Sequence, residues 1–146
     1  MVRRFLYSTY FKLLRIFCNI NPMLKYKYVN NYYEYDPDEE EFCNKHNIIY
    51  FKPDKQRELW LENWMKTTTL PEIETDPDIV CYWRSFGTWG MYHPDDKSIS
   101  VCPYRIEEVP GGLEGVIRHE LEHLKHPEAD KMEHEKKEDY INNLPC

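Results

Sequence analysis

At 146 residues, with 41% hydrophobic and 15% aromatic residues, the chain has material for one core and no room for a second domain. A formal net charge of −7 excludes general nucleic-acid binding, which relies on basic surface to displace counterions from phosphates. The five cysteines (Cys18, Cys43, Cys81, Cys102 and Cys146) form no CxxC pair and are odd in number, which argues against a zinc ribbon or a complete disulfide framework and for a reducing compartment.

The chain begins basic. Leu6, Tyr10, Leu13, Leu14 and Phe17 recur at helical spacing among Arg3, Arg4, Lys12 and Arg15, so residues 1–22 read as an amphipathic helix. Its apolar face is expected to pack on the domain, with weak membrane-surface contact through residues 1–20 as the other use. Lys12 and Arg15 interrupt the apolar run and no small-residue cleavage site follows, which argues against a signal peptide. The stretch is also too short and polar to cross a bilayer, so the expected location is cytoplasmic.

Residues 23–146 are expected to form a single domain. The tyrosine-rich and asparagine-rich segment that ends in the acidic stretch EYDPDEEE (34–41) reads as irregular or loosely extended. HNIIYFK (46–52) has the β-branched and aromatic content of a short strand. Pro53 and Asp54 then start a helix over 55–66, in which Leu59, Trp60, Trp64 and Met65 carry a partial helical period. TTTLPEIETDPD is a loop, and IVCYWRSF (79–86) is the next strand. TWGMY and SISVC flank HPDDK, whose proline and aspartates favour a tight turn, giving a β-hairpin. LEGVIRHELEHLKH forms a helix that ends near His126, because Pro127 disfavours helical geometry at the residue before it. ADKMEHEKKEDYINNL carries a second helix. The order of elements predicts an α+β fold.

HELEH, from His119 to His123, fits H-E-x-x-H. On a helix the two histidines fall one turn apart on one face and can bind a single zinc ion, while Glu120 sits beside the open position as general base. Zinc in a hydrolase takes three protein ligands and a water. Glu135 and Asp139 offer the third ligand and, one turn later, a carboxylate able to accept the free N–H of a ligating histidine. His126, His134 and Glu138 are rivals for the third position; Glu135 is preferred because only it brings its own aspartate. The developing oxyanion needs a donor, for which Tyr92, His93, Tyr104, Arg105 and Tyr140 are candidates.

HELEHLKH followed by EKKED resembles the gluzincin class of zinc metallopeptidases, and the hairpin GMYHPDDKSISVCP ahead of it is similar to that of small ImmA/IrrE-like peptidases. The resemblance spans residues 87–144. It implies a small zincin-like domain with a short twisted sheet, one Zn2+ per chain on His119, His123 and Glu135, Glu120 as catalytic base and Asp139 behind the ligands. It also implies a peptide or protein substrate lying along SISVC as an added strand. In such families a small residue stands where this chain has Glu122, and an alanine where it has Glu138. The expected function is zinc-dependent peptide-bond hydrolysis; the alternative is a non-catalytic, zinc-stabilised binding or regulatory protein.

Overall fold

The computed structural model describes residues 22–29 and 34–145, so the helix expected over 1–22 lies almost wholly outside the described residues. Among the described residues four strands and four α-helices make an α+β fold: β1 (Lys25–Lys27), α1 (Pro37–Lys45), α2 (Lys55–Thr67), β2 (Val80–Trp83), β3 (Gly90–His93), β4 (Ser98–Val101), α3 (Gly112–Lys125) and α4 (His134–Asn142). The strands form one sheet in the order β1-β2-β4-β3, with β1-β2 and β2-β4 parallel and the β3-β4 hairpin antiparallel. Among the described residues no helix is long and apolar enough to cross a membrane.

Local chemistry explains most of these boundaries. The Asp54 side chain accepts the Gln56 N–H at 2.8 Å and caps α2, which ends at Thr67, one residue beyond the expected limit. Asp36 caps α1 in the same way through the Asp38 N–H, with Pro37 in the first turn. Two elements differ from expectation in the opposite sense. The stretch read as irregular contains β1 and the start of α1, while HNIIYFK is not a strand: Phe51 exchanges two backbone hydrogen bonds with Gly87 and the pairing goes no further. The second C-terminal helix is also divided, a 3-10 turn over Pro127–Lys131 preceding α4.

Strand register decides what faces the site. Cys81, Ile99 and Tyr92 are neighbours across the sheet, as are Trp83, Val101 and Gly90, so these residues share one face. Against it α3 lays Val116, Ile117 and Leu121, which join Leu61, Ile73 and Ile106 in the core. β4, the central partner of two strands, is buried along its whole length. The edge beside α3 is therefore β3, and SISVC, expected at the edge, lies inside the sheet because β2 pairs along its other side.

Candidate metal centre

α3 carries His119 and His123 one turn apart, and their Nε2 atoms stand 3.2 Å from each other. Glu138 enters from α4, its Oε2 lying 2.8 Å from His119 Nε2 and its Oε1 3.1 Å from His123 Nε2. Three lone-pair donors turned on one point need protons or a cation between them. A tetrahedral zinc ion, with bonds of about 2.0–2.1 Å, holds its ligands about 3.3 Å apart, near the 3.2 Å between the two nitrogens and the 3.1 Å from His123 Nε2 to Glu138 Oε1. Two imidazoles and a carboxylate are also a donor set that zinc accepts. Among the described residues these three form the group able to hold a metal ion.

The carboxylate that meets the two histidines is Glu138, whereas Glu135, expected as the third ligand, is exposed, as is Asp139. The reason is the phase of α4. This helix docks through buried Ile141, and Glu138, three residues earlier, shares that face with His134 one turn before it. Glu135 lies about 120° around the axis from Ile141, twice as far as Glu138. The E-x-x-x-D pattern therefore marks the solvent side of the helix. His126, the other histidine rival, is held outside the group by Glu122 and Glu128.

Glu120 is 8% exposed and lies against β3. A methyl group at Gly90 would come within 2.8 Å of Glu120 Cγ and Oε1 and of Val116 Cγ1, so the strand and helix can meet this closely only over a glycine. Burial pushes the Glu120 carboxyl above its usual range, while His119 and His123 oppose the shift. At Glu138 burial also acts upward, but hydrogen bonds from both histidines outweigh it and hold the carboxyl well below the ordinary range. The same bond, donated to Glu138, raises His119. The Tyr92 ring stacks on His123 at 4.3 Å and an interplanar angle of 4°, fixing the imidazole from the sheet side. Its hydroxyl donates to Asp130 at 2.6 Å and accepts from Lys137 at 3.1 Å, which ties β3 to the 3-10 turn and to α4.

A cavity of about 430 Å³ opens beside the ligands, with Glu120, His123 and Glu138 on its wall. No family model, curated protein or solved structure matches this chain. Its chemistry is read from these residues alone.

The expected oxyanion donors are mostly engaged elsewhere. Tyr104 packs edge-on against Phe51 and Trp60, Arg105 pairs with Glu108, and the Tyr140 hydroxyl donates to Glu128. His93 shares a 3.0 Å hydrogen bond with Ser100. Tyr92, the remaining candidate, does line the cavity, its hydroxyl bonded to Asp130 and Lys137; His134 and Lys137, which the sequence did not suggest as donors, line it too. Gly90 also went unnoticed, although an isolated glycine in a strand is a signal of close approach. Glu138 was visible, but as a rival.

Proposed function

We propose that this chain is a zinc-dependent peptide hydrolase with a zincin-like active site. The observation that carries the reading is the convergence of His119, His123 and Glu138 on one point, with buried Glu120 beside them on the wall of a cavity that runs along an edge strand. The resemblance of HELEHLKH and EKKED to gluzincins supports it, with Glu138 in the role of the third ligand. An intact Glu120 favours turnover over a purely structural site, which would have no use for a base there.

Bound zinc supplies a water acidified towards neutral pH and a polarised scissile carbonyl. Glu120 takes the proton of the attacking water and delivers it to the leaving amine. Trp89 C=O accepts the Cys102 N–H at 2.9 Å, and the alternation of an antiparallel ladder then turns the backbone polar groups of Gly90 and Tyr92 outward. An extended peptide adds along β3 through these groups, which brings its carbonyl past Glu120. His134 and Lys137 offer N–H donors to the oxygen that gains charge.

The test is zinc stoichiometry measured together with cleavage of denatured proteins. One zinc per chain is expected in the wild type, none in His123→Ala, and one in Glu120→Gln with cleavage reduced at least about a hundredfold. A wild type that binds no zinc ends the reading; one that binds zinc and cleaves nothing leaves the non-catalytic binding protein.

A further inference from the structure

We infer that the cavity beside the three ligands receives a long basic side chain, lysine or arginine, flanking the bond to be cleaved, with Glu39 as its counter-ion. The inference rests on the hydrolase reading above. α1 supplies much of the cavity wall: Glu39, Phe42 and Cys43 line it together with Ile48 and Met91. The α1 end is held to α4 by ring contacts, Phe42 meeting His134 edge-on at 5.4 Å and His46 lying 5.1 Å from His134. Glu39 therefore borders the same space as Glu120 and Glu138, and does so among apolar neighbours.

What sets Glu39 apart is its lack of a close partner. The next residue, Glu40, is engaged by Tyr35 and Lys52. Glu39 is half-buried and makes no hydrogen bond or ion pair among the described residues. Arg84 acts on it through space, but that guanidinium is buried and donates to the carbonyls of Phe86, Thr88 and Ser100. Lys137, the ammonium lining the cavity, donates to the Tyr92 hydroxyl and lies 5.5 Å from the centre of its ring. Burial pushes the Glu39 carboxyl upward, with Arg84 opposing the shift.

A lysine or arginine suits both halves of this environment. Its aliphatic stem covers apolar wall while its charged head reaches a carboxylate. A wholly apolar side chain would fill the space and leave Glu39 desolvated and unpaired, which is unfavourable. An acidic one would meet Glu39, Glu120 and Glu138 together.

Two measurements on the full-length, zinc-loaded protein test this. In the first, a mixture of denatured proteins is digested and the new termini are mapped by mass spectrometry. Wild type should show lysine or arginine next to the cut about tenfold more often than their abundance predicts, Glu39→Gln should lose the enrichment, and Glu39→Lys should shift it towards Asp and Glu. Cuts without a basic preference, or a preference unchanged in Glu39→Gln, overturn the inference while leaving the hydrolase reading intact. In the second, Glu120→Gln is titrated by fluorescence anisotropy with labelled Gly/Ser decapeptides carrying one central lysine or norleucine. About tenfold tighter binding of the lysine peptide, abolished by adding Glu39→Gln, supports the inference; equal affinities overturn it even if no cutting is ever observed.

Discussion

Three side chains give the centre its composition, and their neighbours offer matched controls. Glu138→Ala should reduce bound zinc to well below one per chain, whereas Glu135→Ala, altering an exposed carboxylate of the same helix, should leave it at one. Elemental analysis of the two purified variants decides between them, and the reverse result would return the third position to Glu135. Gly90→Ala forces a methyl group into Glu120 and Val116, and is expected to cost about 1–3 kcal/mol in a urea unfolding curve, as overpacking does. An unchanged midpoint would mean that strand and helix are not held this closely. Cys43 is 2% exposed, and its thiol is pushed up to about 11 by burial, with Glu39 adding to the shift. Because the thiolate is the reactive form, alkylation of Cys43 by iodoacetamide should be slow at pH 8 and rise about tenfold per pH unit towards pH 10. Site-resolved mass spectrometry would show this, and rapid labelling at pH 8 would contradict it.

At the scale of elements, legibility followed the local signals. α2, α3 and the β3-β4 hairpin announce themselves through a capping aspartate, a long apolar stripe and a Pro-Asp turn, and each stands close to where the sequence puts it. α1 carried the same kind of cap, Asp36 before Pro37, but its acidic surface has little apolar period to confirm a helix. HNIIYFK shows the converse: β-prone residues make a strand only where a neighbour offers an edge, and here Phe51 finds one residue, Gly87. The two histidines of the centre were legible because one helix fixes their spacing. The carboxylate that joins them was not, because its helix phase depends on Ile141 docking against the rest of the molecule, a tertiary event that carboxylate spacing does not encode. α4 has nine residues and one buried side chain, so the metal is expected to matter most there. Hydrogen exchange after chelation should quicken across 134–142 while the core-facing amides of α3 remain protected. Uniform quickening of both helices would show that they open as one unit.

Over the whole molecule the sheet is largely parallel, which requires connections that cross over rather than tight turns. The loop between α2 and β2 is secured by the Met23–Glu74 bridge, with the Leu24 and Thr75 N–H groups donating to the carbonyls of Ile73 and Pro22, and the turn after β2 by the buried Arg84. The chain from α3 to α4 passes over the surface through a 3-10 turn, with Tyr92 reaching it from the sheet. His119 and Glu138 are 19 residues apart in sequence, and an ion gripped by both ties the intervening chain into a closed ring. Unlike a disulfide, such a link is reversible and dissolves with the fold, so it stabilises by mass action, by about 3 kcal/mol at a free zinc concentration a hundredfold above its Kd. Stripping the ion should then lower the melting midpoint by about ten degrees. A chelator that leaves the midpoint unmoved would show that the ring is not closed in solution. The same atoms that do the proposed chemistry would thus also set the temperature at which this small domain comes apart.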